Sequence, residues 1–437
     1  MFETIVALAT APMKSALAIV RLSGDDCFNI VNKMFTKDIS KTTKRDIYYG
    51  NIIDGNKVID EVVLLAYKNP HSFTGEDSVE IISHGSVLIA KQIIDLALSK
   101  GARLATNGEF SSRAYLNHKI DLVQAEAIND LINATTVEGK ELSILALEGK
   151  SSEIFKPIKN KLGELLAKIE VNIDYPEYED IEEISRNEIV ETSTKIVDSL
   201  CVLIANGEKD RLYHEGVKIA IVGKPNVGKS SLLNELINED KAIVTDIAGT
   251  TRDIIEGEMV LDGVPVKLFD TAGYHQSEDL IENIGISKIH KILTDADLIV
   301  YVEDETGVDE ELYNEIKNLK HVIVHNKADL LSQRDSDKNY ISIKNHDISA
   351  LINCIKEELD ISPIKLRPSF YNVRQLAILK RMVSLLEKAI EDVNNNEPID
   401  LISVSIMSAY NASLDLIGEG NKNDLTDEIF SRFCVGK

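Results

Sequence analysis

Residues 223–230 carry the spacing of a phosphate-binding loop. Four residues separate Gly223 from Gly228, and Lys229 and Ser230 follow, which is the G-x-x-x-x-G-K-[ST] pattern. In such a loop, backbone N–H groups converge on phosphates at a helix N-terminus, where the helix dipole favours an anion. We expect Lys229 to supply a cation to the β- and γ-phosphates and Ser230 to ligate Mg²⁺. The alternative is an ordinary glycine turn that happens to end in Lys-Ser.

Two tetrads further along indicate which nucleotide binds. Residues 270–273 read Asp-Thr-Ala-Gly after an apolar run, so Asp270 stands where P-loop enzymes hold Mg²⁺, directly or through water. Residues 326–329 read Asn-Lys-Ala-Asp after another apolar run. Their Asn and Asp offer complementary polar groups to a guanine edge, whereas adenine lacks the exocyclic amino group that the carboxylate would accept from. Together, each at a predicted strand end, the tetrads predict a GTPase.

The segment 245–253 lies between the phosphate loop and the first tetrad, where a switch that senses the γ-phosphate belongs. Thr251 is its candidate second hydroxyl on Mg²⁺; the alternative is a Thr- and Gly-rich surface loop. Tyr274 follows the first tetrad, where Ras-type enzymes carry a water-orienting Gln. No arginine finger is evident. The phosphate charge and the attacking water must therefore be handled by other groups.

The elements that position these motifs alternate between strand and helix from residue 213 to about 365. An apolar run at 218–222 leads into the phosphate loop, and Leu232, Leu233 and Leu236 follow it at helical spacing. Further strands are predicted at 264–269, 296–302, 321–325 and 340–343. This alternation predicts a doubly wound α/β domain.

The flanking segments differ in pattern. Residues 1 to about 117 predict an α+β domain, with strands at 5–9, 16–22, 62–67 and 79–82 and a helix at 87–98. From 121 to about 210, and again after Pro368, apolar residues recur at helical spacing. Long helices with one apolar stripe need a partner. We therefore expect the two helical stretches to pack together around an inserted G domain.

Composition bounds the class of protein. The 437 residues suffice for two to four domains, and no apolar run approaches the ~20 residues that span a bilayer. The N-terminus has no basic region typical of a secretory signal. The four cysteines are far apart, which predicts a reducing compartment and neither disulfides nor a zinc site. A net charge of −24 disfavours non-specific binding of polyanions. We expect a cytoplasmic protein that does not associate with membranes.

Five segments resemble the MnmE (TrmE) family of bacterial tRNA-modification GTPases, within the TrmE-Era-EngA-YihA-Septin-like superfamily. They are Ser72–Asp77, Gly108–Ser111, Leu122–Ala127, Asp246–Asp253 and Phe433–Lys437. The resemblance covers essentially the whole chain. It implies a multidomain α+β and α/β fold: an N-terminal α+β domain that dimerises and binds tetrahydrofolate (1–117), a discontinuous all-α domain (118–212 and 367–437) and an inserted Ras-like P-loop GTPase domain (213–366).

The resemblance also implies a reaction. The chain would hydrolyse GTP in a K⁺-activated way and, with the FAD-dependent partner MnmG, add an aminomethyl or carboxymethylaminomethyl group to C5 of the wobble uridine of certain tRNAs. The one-carbon unit would come from a tetrahydrofolate derivative, in the 5-formyl or methylene form. The implied assembly is a homodimer, joined to MnmG in a heterotetramer, whose G domains meet across their nucleotide faces.

Two other classes of function compete with this one. A ribosome-assembly or signalling GTPase would bind RNA without modifying it, and a basic KH-like or RRM-like appendage would favour that class; none is visible in the sequence. The second alternative is a folate-binding one-carbon enzyme whose G domain has no role in its activity. The intact set of GTP motifs argues against it.

The resemblance assigns the metal and nucleotide ligands residue by residue. K⁺ would be held by Asn226, with backbone around Thr245, Ile247 and Thr250, and Mg²⁺ by Ser230 and Thr251. The predicted catalytic residues are Lys229, Thr251, Cys434 and Glu282, the last as the water-orienting carboxylate. Residues 342–344 read Ser-Ile-Lys where the family carries a guanine-supporting Ser-Ala-Lys motif, and the Gly that usually follows is absent. The predicted GTP-binding residues are Asn226, Val227, Gly228, Lys229, Ser230, Ser231, Thr245, Asp246, Ile247, Ala248, Gly249, Thr250, Thr251, Asp270, Thr271, Ala272, Gly273, Asn326, Lys327, Ala328, Asp329, Ser342, Ile343 and Lys344.

The folate positions implied by the resemblance are Arg21, Glu80, Lys119 and Lys437. Arg21 and Lys119 would pair with the carboxylates of the glutamate tail, and Glu80 would bond the amino and N–H edge of the pterin. Cys434 leaves two possibilities open. It is either a nucleophile beside a cationic lysine or a small buried hydrophobe that anchors the C-terminal tail.

Overall fold

The computed structural model describes residues 3–174, 184–239, 257–270, 292–331, 338–420, 429–431 and 433–436. It contains two compact units. The first consists of Met1–Asn129, Ala146–Ile184 and Asp392–Lys437, and the second of Asp130–Leu145 and Ser185–Glu391. In the part of the chain described, each unit holds one six-stranded sheet. The predicted combination of α+β and α/β layers with long helices is therefore confirmed, whereas the predicted domain boundaries stay a prediction.

The first unit is built on a mainly antiparallel sheet in the order β3-β4-β5-β2-β1-β6, in which only β1 and β6 pair in parallel. Helix α2 packs on it, and the core between them includes Val20, Leu22, Leu64, Ile81 and Ile93. The strands are β1 (Ile5–Leu8), β2 (Leu17–Ser23), β3 (Arg45–Asp54), β4 (Lys57–Tyr67), β5 (Ser78–His84) and β6 (Arg103–Leu104), and the helices are α1 (Cys27–Asn32), α2 (Val87–Ser99) and α3 (Glu109–Leu116).

Strand β3 was not predicted, and its surroundings explain why. It lies at the edge of the sheet, where only Ile52 is buried, while Ile47 and Tyr49 are exposed. A strand without a buried face shows little of the period-2 alternation by which sequence patterns reveal strands. The extended conformation of β3 is stabilised instead by its pairing with β4 over ten positions.

Long helices follow. α4 (Leu122–Asn133) and α5 (Val137–Leu147) lead into α6 (Lys150–Asp174), and α12 (Ile399–Ile417) packs on α6 in the first unit. Leu162, Leu165 and Ile169 of α6 are buried, as are Ile402 and Ile406 of α12. The expectation that helices before and after the G motifs pack together is confirmed for this pair.

The second unit is an α/β sheet in the order β12-β11-β10-β7-β9-β8, parallel except for the β8–β9 hairpin. The carboxyl ends of β7, β9, β10 and β11 therefore meet at one edge, where ligands bind in such folds. Its elements are α7 (Arg186–Glu215), β7 (Val217–Val222), α8 (Lys229–Glu239), β8 (Gly257–Leu261), β9 (Val264–Asp270), β10 (Leu298–Glu303), α9 (Glu310–Ile316), β11 (His321–His325), β12 (Asn339–Tyr340), α10 (Ser349–Glu358) and α11 (Val373–Asn394).

One predicted strand is shorter than expected. Strand β12 ends at Tyr340 rather than at residue 343, because Ser342 forms two backbone hydrogen bonds with Asp347 and residues 343–345 turn as a 3₁₀ helix. Among the residues that the structure describes, no helix is both long and apolar enough to cross a membrane.

Candidate nucleotide-binding site and a cavity in the first unit

The phosphate loop joins the carboxyl end of β7 to the start of α8. Gly223 has a φ of 149°, and a Cβ there would lie 2.1 Å from the carbonyl oxygen of Val302. Gly228 has a φ of 104°, and a Cβ there would lie 2.5 Å from Nδ2 of Asn326. Backbone conformation and neighbouring atoms thus require glycine at both positions, which explains the spacing seen in the sequence.

Lys229, the first residue of α8, turns back onto this loop. Its Nζ donates to the carbonyl oxygens of Gly223 and Lys224, at 2.9 and 2.8 Å. Burial lowers the pKa of the ammonium, and the nearby charge of Asp270 opposes that shift. The cation is therefore held against the loop that is predicted to receive the phosphates.

Ser230 and Asp270 form the candidate Mg²⁺ pair. The register of β7 and β9 sets Asp270 opposite Ile221, immediately before the loop. Ser230 Oγ donates to Asp270 Oδ2 at 2.8 Å, and Asp270 is buried. A hydroxyl and a carboxylate are oxygen donors of the kind that Mg²⁺ prefers. The side chains present thus fit that ion.

The predicted guanine loop follows β11 and is tied to the phosphate loop. Asn326 Nδ2 donates to the Val227 carbonyl oxygen at 2.8 Å, and the Asn326 N–H donates to Glu303. Asp329 is oriented from the other side, because Ser342 Oγ donates to its Oδ1 at 2.9 Å and Lys344 Nζ lies 3.8 Å from its Oδ2. The segment 342–344 therefore orients Asp329, and its contact with a guanine base stays a prediction.

Sequence reasoning missed Asp304, which links both loops. Its Oδ2 lies 2.6 Å from Lys327 Nζ, and this hydrogen bond lowers the pKa of Asp304 to about 2 against the opposing effect of burial. Its Oδ1 accepts from the backbone and side chain of Thr306, whose carbonyl oxygen accepts from Lys224 of the phosphate loop at 2.9 Å. Its place just after β10 was an available signal, because Asp270 and Asn326 stand at equivalent strand ends.

The first unit contains a separate cavity of about 280 Å³. Strands β2 and β5 set Arg21 opposite Glu80, and the two side chains approach to 2.7 Å. Two of the four predicted folate residues thus line one cavity. Its lining residues are Arg21, Arg45, Tyr67, His71, Ser72, Phe73, Thr74, Ser78 and Glu80.

Lys119, a third predicted folate residue, is not among the lining residues. Its Nζ donates to the Pro70 carbonyl oxygen at 3.0 Å, one residue from the lining His71. The cavity combines aromatic faces, a carboxylate and cations, which fits a flat heteroaromatic ligand that carries acidic groups.

Comparisons with known proteins decide the family. The model of the GTP-binding protein TrmE N-terminus matches residues 4–119, and the model of the MnmE helical domain matches residues 122–434. The chain belongs to the MnmE family. The resemblance noted in the sequence is thereby confirmed.

Similar relatives in the MnmE family align over their full length. The tRNA modification GTPase MnmE of Enterococcus faecalis is 38% identical, with 100% of this chain and 98% of the relative covered. The relative of the same name from Acetivibrio thermocellus is 40% identical, covering 100% and 99%. That from Mycoplasmopsis pulmonis is 40% identical, covering 100% of both chains.

The C-terminal segment typical of the MnmE resemblance lies against the first unit. Phe430 and Phe433 are buried in a cluster with Tyr115, and the Gly108 N–H donates to the Cys434 carbonyl oxygen at 3.4 Å. Cys434 itself is exposed. Aromatic residues therefore anchor the tail, and the alternative of a buried anchoring thiol is wrong. The nucleophilic role of Cys434 stays a prediction.

Of the remaining predicted site residues, two lie in or next to the phosphate loop and the others fall outside the described part of the chain. Asn226 is exposed at the tip of the phosphate loop with a φ of 65°, and Ser231 is exposed on α8. The residues that lie outside the described part of the chain are Thr245, Asp246, Ile247, Ala248, Gly249, Thr250, Thr251, Thr271, Ala272, Gly273, Glu282 and Lys437.

Proposed function

We propose that this chain is a GTP hydrolase that acts in the modification of tRNA. The main support is that the phosphate loop, the Ser230–Asp270 pair and the guanine loop lie together at one sheet edge in a member of the MnmE family. Lys229 neutralises charge on the β- and γ-phosphates, and Asp329 accepts from the guanine N–H groups. Ser230 and Thr251 would hold Mg²⁺, and Asp270, which pairs with Ser230, would contact the ion directly or through water. The bound ion supplies positive charge to the phosphates.

The substrate of the modification is the wobble uridine of certain tRNAs, which receives an aminomethyl or carboxymethylaminomethyl group at C5. The cavity of the first unit binds the tetrahydrofolate that carries the one-carbon unit, since Arg21 and Glu80 line it. The chain works as a homodimer, and this homodimer joins the FAD-dependent protein MnmG in a heterotetramer. A net charge of −24 supports the need for a second protein to bring tRNA close, because an acidic surface repels the phosphate backbone.

The test in cells is mass spectrometry of tRNA nucleosides from a strain that lacks the chain. The modified wobble uridine should disappear, return with the wild-type gene, and stay absent with Lys229→Met. Unchanged wobble uridines in the deletion strain would contradict the proposal. A ribosome-assembly GTPase would give that result together with altered ribosome profiles.

Hydrolysis depends on K⁺, which Asn226 helps to hold. Asn226 offers an exposed amide on the phosphate loop, and the sequence provides neither a water-orienting Gln after 270–273 nor an evident arginine finger. Replacing KCl by NaCl should lower GTP turnover by about tenfold or more, because positive charge at the transferred phosphate is a large catalytic term. Asn226→Ala should remove the difference between the two salts, whereas Asn318→Ala, at an exposed asparagine after α9 that is not among the predicted site residues, should preserve it. Equal rates of the wild type in both salts would refute K⁺ activation.

A further inference from the structure

Arg21 is already engaged on all sides of its guanidinium. Nε and Nη2 lie 2.9 and 2.7 Å from the same oxygen of Glu80, Oε1. Nη1 donates to the Gly436 carbonyl oxygen at 3.0 Å, and the group stacks over the ring of Phe110 at 5.6 Å. Its charge is paired, and each nitrogen has a partner. A ligand carboxylate would have to displace one of these contacts.

Arg45 lines the same cavity but, unlike Arg21, has guanidinium nitrogens that are not hydrogen-bonded to the described residues. It is the first residue of β3, and its Nε donates to the His71 carbonyl oxygen at 3.1 Å. Within the part of the chain that the structure describes, its two Nη atoms have neither a hydrogen-bonding nor an ion-pair partner. Since Glu80 is paired with Arg21, the unbalanced charge of the lining is the guanidinium of Arg45. An anionic group that enters the cavity is attracted to that side.

The remaining walls set the orientation of a ligand. Tyr67 and Phe73 add aromatic faces. Burial and the charge of Glu80 raise the pKa of Tyr67, so its hydroxyl stays neutral. Glu80 is the acceptor for an amino edge, and Arg45 is the donor for a carboxylate. The forked N–H groups of an arginine match a carboxylate with two parallel hydrogen bonds.

We propose that Arg45, rather than Arg21, binds the glutamate carboxylates of the tetrahydrofolate, and that Arg21 instead positions Glu80 and the backbone of Gly436. This inference rests on the proposed folate function. Arg45 thereby distinguishes folates from pterins that lack an acidic tail.

The test is isothermal titration calorimetry of the full chain with two ligands, 5-formyl-tetrahydrofolate and 5-formyl-6-methyl-tetrahydropterin, which lacks the benzoylglutamate and carries no carboxylate. Arg45→Met should lower the affinity for the first ligand by about tenfold or more, as expected for the loss of a charge-assisted pair. The affinity for the second ligand should be unchanged. The affinity of Arg45→Lys for the first ligand should lie between those of the wild type and Arg45→Met, because lysine keeps the positive charge but cannot form two parallel hydrogen bonds to a carboxylate. Arg21→Met should weaken both ligands.

Lys57→Met is the matched control. It removes one exposed positive charge from β4, the partner strand of β3, and Lys57 does not line the cavity. It should bind both ligands as the wild type does. Unaltered binding of 5-formyl-tetrahydrofolate by Arg45→Met, or equal weakening of both ligands, would overturn the assignment of Arg45. Failure of the wild type to bind either ligand would instead refute the folate function on which it rests.

Discussion

Replacing Lys229 with methionine should lower the kcat for GTP about 10²–10³-fold, the range found when one preorganised donor to a developing charge is removed. Lys229 is buried, and its Nζ donates hydrogen bonds to two carbonyl oxygens of the phosphate loop. An ammonium held in this way stabilises phosphate charge without reorganisation during the reaction. Methionine keeps most of the aliphatic stem, so the packing of α8 should survive. The measurement is steady-state GTP turnover at saturating Mg²⁺.

Lys224→Met is the control for the loss of a positive charge from the same loop. Lys224 Nζ donates to the Thr306 carbonyl oxygen, on the turn that Asp304 ties to the guanine loop. Its loss should loosen the connection between the loops and raise KM with little change in kcat, which is the signature of weakened binding rather than lost catalysis. A Lys229→Met variant with wild-type kcat would remove Lys229 from the catalytic set.

The nucleotide site could be predicted because its requirements are local. Glycines at 223 and 228 follow from positive φ and from atoms within 2.5 Å, and such demands leave a fixed spacing in the sequence. Asp270 ends strand β9 and Asn326 directly follows β11, so the topology of a parallel sheet brings them to one edge. Asp304 also stands at a strand end, but its role depends on Lys327, a contact that spacing does not reveal.

The lining of the cavity in the first unit could not be predicted in this way, because its residues come from strands and loops that are distant in the sequence. Arg45 belongs to an edge strand in which only Ile52 is buried, and no pattern in the sequence predicted that it lines the same cavity as Glu80. The segment 72–77 identified the family, yet its spacing does not show that Glu76 is buried or that Arg113 of α3 is its partner. A buried pair of charged residues leaves no periodic pattern in the sequence from which it could be predicted.

That buried pair is expected to dominate the stability of the first unit. Arg113 Nη1 lies 3.0 Å from Glu76 Oε2, and each side chain is 4% exposed. Ser23 Oγ also donates to Glu76 Oε2 at 2.8 Å, and Arg113 Nη2 donates to Glu109 Oε1 at 2.9 Å. Arg113→Met should lower the free energy of unfolding by about 3–5 kcal/mol, because it leaves the Glu76 carboxylate buried without its cation.

Arg103→Met is the matched comparison. Arg103 also contacts Glu109, at 2.6 Å, but its side chain is 42% exposed, so solvent screens the pair and its removal should cost about 1 kcal/mol or less. Hydrogen exchange of the β5 amides in the full chain reports opening of the first unit specifically. The double variant Arg113→Met/Glu76→Gln should recover part of the loss, because a neutral amide is less costly to bury than an unpaired carboxylate. Equal effects of Arg113→Met and Arg103→Met would mean that burial of the Glu76 pair does not determine the stability of this sheet.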